Sequence, residues 1–228
     1  FGRLAQALES QRRFVADAAH ELRTPLTAVS LQIQLLERAT TSAQRAAALG
    51  QVKGGLARAT QVVGQLLTMA RLEPDAPQRP FGPVDLRELA GTVLGEFAQS
   101  ARDKGVDLGL VGGDAAQVEG DPEALRILLG NLVDNALRYT PPAGRVDVAV
   151  CHRNGEVLLE VRDTGRGIPV AERERVFDRF YRRPGSGATG SGLGLAIVKG
   201  IAERHGARVL LEEGEGGEGL TVRVGFET

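Results

Sequence analysis

The chain lacks the features that define several large protein classes. Its single cysteine, Cys151, cannot form an internal disulfide in these 228 residues, which fits a reducing compartment. It lacks a dominant charge. Lys and Arg number 28 against 29 Asp and Glu, a net of −1, so nothing steers it towards nucleic acid or an anionic membrane surface. No apolar run approaches the ~18 residues of a membrane-spanning helix, and no secretory leader is visible. An initiator methionine is also missing. The chain opens at Phe1, and the expectation is a piece of a longer protein. No internal repeat occurs. What remains is an ordinary globular composition, 42% hydrophobic and 25% charged, sufficient for a core in one or two domains. Glycine, with 30 residues, is concentrated after position 105, so the two halves are expected to do different jobs.

The first half reads as two helices. From about Gly2 to Ala39, Leu4, Leu8, Val15, Ala18, Leu22, Val29 and Leu36 form one stripe, with Gln11 filling a gap. The short connection "ATTSA" follows. Beyond it Leu49, Val52, Leu56, Ala59, Val63, Leu66 and Ala70 recur at alternating spacings of 3 and 4, a heptad repeat. Two such helices on a short loop predict an antiparallel hairpin. One hairpin cannot cover both stripes, so two copies are expected to pair as a homodimeric four-helix bundle. His20 stands two residues from both Ala18 and Leu22, about 200° round the helix from each, and so points away from the stripe. An exposed histidine is by default merely solvated. Here Glu21 follows it directly, and Pro25 sits inside the helix, where it removes a hydrogen bond at a cost of ~3 kcal/mol. A local rule broken beside a titratable group marks a candidate working site.

"RLEPDAPQRPFGPVDL" carries four prolines from Pro74 to Pro83 and marks a domain boundary. After it, Asp85 is a helix cap for a segment running to about Lys104, and "VDLGLV" reads as a strand. Asp121-Pro122 is a strong helix start, with the helix running through Arg138. "RVDVAVCHRNGEVLLEVRD" predicts a hairpin turning at Asn154-Gly155. "VAERERVFDRF" reads as a short helix. "LGLAIVKGIAERHG" reads as a further helix, ended by Gly206. "ARVLLEE" and "GLTVRVGFE" form a closing hairpin around "GEGG". The expected architecture is an α+β sandwich with helices on one face of a mostly antiparallel sheet.

Chemistry clusters in this second half. Asn131 and Asn135 stand four apart on one face of an otherwise apolar helix. Asparagine is a poor helix former, and its oxygen suits a hard cation such as Mg²⁺. Two merely solvated asparagines are the alternative. "RDTGRGIP" ends a strand. Asp163 can accept from an exocyclic amine, and Gly165 and Gly167 let backbone approach a flat ligand; the alternative is a plain turn. In "GSGLGLAIVK", Gly190, Gly192 and Gly194 open a helix whose N–H groups and dipole suit phosphates. The spacing is neither a dinucleotide fingerprint nor a Walker loop. His152, on a strand face, and His205, before a helix-ending glycine, read as structural.

Each cluster is weak alone, but their order is distinctive, and the chain resembles the sensor histidine kinases of two-component signalling. "FVADAAHELRTPLTAV" is similar to that family's phosphoacceptor box and "LLGNLVDNALRYTP" to its asparagine box. "DTGRGIP", "FDRFYR" and "GSGLGLAIVK" are similar to its first glycine, phenylalanine and second glycine boxes. The resemblance covers essentially the whole chain. It implies a phosphorylated histidine at His20, with Glu21 accepting the proton of the other ring nitrogen. It implies ATP in a Bergerat-type fold, Mg²⁺ on Asn135 with Asn131 assisting, and adenine read by Asp163. Arg138 and Tyr139 would be nucleotide contacts, residues from about Arg182 to Ser191 a lid, and Gly190, Gly192, Leu193 and Gly194 the triphosphate wrap. It further implies residues 1–73 as a dimerising phosphotransfer hairpin, 74–83 as a linker and 84–228 as the catalytic domain. The partners implied are a second copy of the chain and a response regulator whose aspartate receives the phosphoryl group. Membrane helices would precede Phe1, leaving this piece cytoplasmic. Thr24, four residues after His20, fits a Glu-x-x-Thr pattern associated with regulator dephosphorylation; the alternative is a hydroxyl that only bonds a backbone carbonyl beside Pro25. Two other classes stay open: a Bergerat ATPase that closes as a clamp without a phosphohistidine, and a degenerate kinase acting as a scaffold. Acid-labile, base-stable label from ATP separates the kinase from both.

Overall fold

The computed structural model describes residues 2–73, 79–112, 116–153, 155–183 and 190–227. Residues 74–78 of the proline-rich linker, Asn154 of the hairpin turn and 184–189 of the expected lid lie outside them, as do the side chains of Leu4, Leu8 and Gln11 in the first stripe. The chain divides into two compact units, Phe1–Ala70 and Arg71–Thr228. Among the described residues, no helix is long and apolar enough to cross a membrane.

The first unit holds α1, Gly2–Arg38, and α2, Ser42–Arg71. The connection is closed by a reciprocal cap. Gln44 Oε1 accepts from the amide of Thr40 at 3.0 Å, and Thr41 Oγ1 accepts from the amide of Gln44 at 3.2 Å. Pro25 lies within α1 and is buried. Having no N–H, it gives the Glu21 carbonyl no i+4 partner.

Within the single hairpin the seam runs one position away from the predicted heptad stripe. The residues of α2 buried in the single chain are Ala48, Gly55, Val62 and Met69, one position ahead of the heptad drawn through Leu49, Leu56, Val63 and Ala70. Val52, Ala59 and Leu66 are half-buried, whereas Leu49, Leu56 and Val63 remain 46%, 49% and 43% exposed. Gly55 lies so close to Val29 that an added Cβ would collide with the valine methyl, so glycine lets the two backbones approach there. In α1, Val29 is buried, but Val15 is 60% exposed.

The second unit contains β1 (Gly82–Asp85), α3 (Leu86–Lys104), β2 (Asp107–Leu110), β3 (Gln117–Gly120), α4 (Pro122–Tyr139), β4 (Arg145–Arg153), β5 (Glu156–Asp163), α5 (Gly194–Arg204), β6 (Arg208–Glu213) and β7 (Leu220–Glu227). The main sheet has the order β2-β4-β5-β7-β6, with β2 and β4 parallel and every other pair antiparallel. Asp85 caps α3, its carboxylate accepting from the amides of Arg87 at 2.8 Å and Glu88 at 3.0 Å. Asp121 caps α4 likewise, from Glu123 at 3.0 Å and Ala124 at 3.3 Å. The helices cover one face of the sheet. Leu125, Leu128, Leu129, Leu132 and Val133 of α4 are buried, with Val146, Val148 and Val150 of β4, Leu159 and Val161 of β5, and Ile197 and Ile201 of α5. This is the expected α+β sandwich. On the other face Glu160, only 2% exposed, is held by Arg162 and Arg223, and Arg223 also bonds Glu212.

Two expectations change. A two-stranded antiparallel ribbon of β1 and β3 is present that the pattern did not reveal; both strands have four residues, and Pro83 interrupts the first. The short helix expected over "VAERERVFDRF" is instead two 3₁₀ turns, Val170–Glu172 and Arg175–Phe177. Neither turn buries a residue, so no packing face sustains an α-helix there.

Candidate functional site

In the second unit the predicted residues converge at one end of α4 and α5. Asn131 and Asn135 project from α4 towards the first turn of α5. A Cβ placed on Gly194 would lie 3.2 Å from Asn131 Oδ1 and 3.2 Å from Asn135 Nδ2. A side chain there would need both carboxamides to give by a few tenths of an ångström. Asn131 Nδ2 donates to the Ile127 carbonyl at 2.8 Å, which fixes that carboxamide and presents its oxygen to α5. Among the described residues no side chain caps α5: Leu193 at its N-cap is fully buried and offers no polar group. The N–H groups of the first turn therefore form an electropositive end beside two amide oxygens. Ser191 Oγ accepts from the Leu193 amide at 3.2 Å.

The glycine-rich approach to α5 is locked against the phenylalanine segment. Gly192 has φ +73°, and a Cβ there would lie 2.6 Å from the Phe180 carbonyl carbon. The Phe180 amide donates to the Gly192 carbonyl at 3.0 Å, and Phe180 itself has φ +61°. Arg138 bonds Asp134 at 2.6 Å, and its guanidinium lies against Gly190. Tyr139, at the end of α4, is 39% exposed, with Arg166 stacked over its ring at 4.9 Å. The Tyr139 carbonyl is where a Cβ on Gly165 would press, at 2.8 Å.

Asp163 ends β5 and is 9% exposed. Burial pushes its pKa up to about 6, against the opposing pull of backbone N–H groups from Gly165 and Leu220. The Gly165 amide donates to Oδ1 at 2.8 Å. Gly167 packs on Gly219, where a Cβ would meet the Gly219 carbonyl at 2.7 Å. The structure thus adds Gly219 and Arg166 to the residues picked from sequence. Neither carries a strong signal of its own: Gly219 sits in a turn already rich in glycine, and Arg166 falls between two motif glycines.

In the first unit, His20 is exposed on α1 and Glu21 is half-buried. As adjacent residues they project ~100° apart. Thr24 is exposed, and its hydroxyl donates to the His20 carbonyl at 3.4 Å. His152 lies on β4 and is exposed. His205 is more constrained than a helix-ending histidine need be; its Nε2 accepts from the Asp121 amide at 3.0 Å.

Comparison with known proteins identifies the family. Residues 10–75 match the His Kinase A (phospho-acceptor) domain, and residues 120–228 match the histidine kinase-, DNA gyrase B- and HSP90-like ATPase family. The sensor protein kinase PmrB of Pseudomonas aeruginosa is 43% identical over 97% of this chain and 46% of its own. The solved structure of a mycobacterial sensor histidine kinase, MprB, is 32% identical, with a TM-score of 0.57 over 64% of this chain and 96% of that one. Full-length ShkA, solved in complex with AMPPNP, is 28% identical with a TM-score of 0.68, over 94% of this chain and 45% of that one. The chain belongs to the sensor histidine kinases of two-component signalling. It spans about half the length of the curated relatives it matches.

Proposed function

We propose that this chain is the catalytic portion of a protein histidine kinase: it moves the γ-phosphoryl group of ATP to His20, and from there to an aspartate of a response regulator. The observation that carries the reading is the convergence of Asn131 and Asn135 on the uncapped first turn of α5 at Gly194. A helix start with bare N–H groups suits phosphate oxygens. Two amide oxygens suit Mg²⁺, which keeps several waters and leans on substrate phosphates rather than on a full protein cage. The Asp163 carboxylate would accept the exocyclic amine of adenine, with Tyr139 and Arg138 contacting the nucleotide. Gly190, Gly192 and Leu193 would hold the strand of backbone that wraps the triphosphate.

His20 would attack the γ-phosphorus in line through a neutral ring nitrogen, forming an N–P bond as the bond to the departing ADP oxygen breaks. Phosphoryl transfer of this kind needs positioning and charge neutralisation above all. Glu21 would accept the proton of the other ring nitrogen. On this reading residues 1–73 form the phosphoacceptor hairpin, 74–83 the linker and 84–228 the catalytic domain. Leu49, Leu56 and Val63 would be covered by a second copy of the chain. Thr24 would orient a water for attack on the phosphoaspartate of the bound regulator.

The test is incubation with γ-labelled ATP. Acid-labile, base-stable label is expected on the wild type and not on His20→Gln, while His20→Gln keeps nucleotide affinity. Label at wild-type level on His20→Gln refutes the assignment. Nucleotide binding without label on either protein favours a scaffold or a clamp ATPase.

A further inference from the structure

Helices α4 and α5 lie side by side in opposite directions. The start of α5, Gly194, meets Asn131 and Asn135 deep in α4. The end of α5, at His205, meets Asp121, the residue that caps the start of α4. The pair is therefore fastened twice. We propose that His205 is a positioning residue for the nucleotide site, setting the axial register of α5 against α4 and so holding Gly194 against the two asparagines. The inference rests on the nucleotide-site reading given above.

Four contacts fix the imidazole. Its Nε2 accepts from the Asp121 amide at 3.0 Å. Because a backbone amide can only donate, Nδ1 must carry the ring proton, and it donates to the Ile201 carbonyl at 2.7 Å. The Phe81 ring stacks on it at 4.6 Å between centroids and 8° between planes. Gly120 lies beneath it, where a Cβ would come within 2.8 Å of Cδ2. Burial holds the His205 pKa below the ordinary value, despite the bond to Ile201. The neutral ring is the form that can accept from Asp121.

The two fasteners lie a matching distance apart. Ten residues separate Asp121 from Asn131 and eleven separate Gly194 from His205, about 15 and 16 Å of helix respectively at 1.5 Å per residue. Letting go at one end frees the helix to slide at the other. A slip of one residue's rise, ~1.5 Å, exceeds the ~1 Å of misplacement that can cost a factor of ~100 in a positioned reaction.

Two substitutions separate these roles. His205→Gln carries an amide oxygen where Nε2 was and keeps the bond from Asp121. His205→Asn carries its amide where Nδ1 was and keeps only the bond to Ile201. The measurement is calorimetric affinity for a non-hydrolysable ATP analogue with Mg²⁺, on the full chain, with thermal stability alongside. The expected result is a roughly tenfold weaker Kd for His205→Asn, the equivalent of one net hydrogen bond, with His205→Gln within about threefold of wild type at comparable stability. Equal affinities for the two variants, or affinities that merely track stability, overturn the positioning role while leaving the site reading intact. A wild-type protein that binds no analogue overturns the site reading, and this inference with it.

Discussion

Replacing Asp163 by asparagine should strengthen the empty fold while weakening the nucleotide. The carboxyl is 9% exposed, and burial pushes its pKa up to about 6. The ordinary value is ~4, so the shift of about two units corresponds to roughly 3 kcal/mol. The sign follows from the direction. A carboxyl with a raised folded pKa prefers to be protonated in the fold. Above pH 6 its charge therefore opposes folding, and the opposition is relieved as pH falls from 6 towards 4. By pH 5 roughly half of that 3 kcal/mol should be recovered in the wild type. The substituted asparagine would not titrate, and any cost of placing its amide group is independent of pH. The stability difference between Asp163→Asn and wild type should therefore be larger at pH 8 than at pH 5, in favour of the variant, by roughly half of the full amount. Native-state hydrogen exchange of the β4, β5 and β7 amides reads this difference for the second unit alone. Nucleotide affinity should move the other way. The wild type should lose affinity as pH falls through about 6, and Asp163→Asn should be weaker at pH 8 with little dependence on pH. A stability gap that is the same at both pH values refutes the buried-carboxylate reasoning.

Changing Leu56 and Val63 together to Glu should convert the proposed homodimer to monomers with little loss of helix, because both side chains are nearly half exposed in the single chain and only association would bury the charges; sedimentation with circular dichroism checks both parts. Thr24→Ala should leave labelling of His20 within about twofold but remove regulator dephosphorylation, measured on one preparation with the cognate regulator; a parallel fall in both would assign the hydroxyl to its bond with the His20 carbonyl. Gly192→Ala should cost about 1–2 kcal/mol for a left-handed non-glycine residue, plus the collision with Phe180. At least a tenfold loss of nucleotide affinity is expected by calorimetry.

The architecture of the second unit was largely legible because its signals are local and redundant. Asp85 and Asp121 announce helix starts, Gly206 ends α5, and alternation marks β4 and β5. The hairpin seam was less legible for a physical reason. Hydropathy finds large side chains, so Ala48 and Gly55 gave no signal while Leu49 and Leu56 did, although the close approach at Gly55 needs its missing side chain. The β1–β3 ribbon is too short for its period to emerge, and it contains Pro83. Site residues were legible where a motif concentrates odd chemistry, as at Asn131, Asn135 and Asp163. Arg166 and Gly219 were not, since their roles come from a ring and a carbonyl brought close only by folding. The part played by His205 depends on Asp121, 84 positions away, a distance no local pattern spans.

The bare start of α5 bears on how long the protein lasts in the cell. Helices α3 and α4 each carry an aspartate cap, whereas among the described residues no side chain caps α5; on the proposed reading that task falls to the bound nucleotide. A ligand that supplies the missing acceptors becomes, in effect, a removable part of the fold. At a hundred times its dissociation constant it would add ~3 kcal/mol to stability. Nucleotide scarcity would then do more than halt signalling. It would raise the fraction of molecules open to proteolysis, so that the abundance of the protein, as well as its phosphorylation, would follow the energy state of the cell.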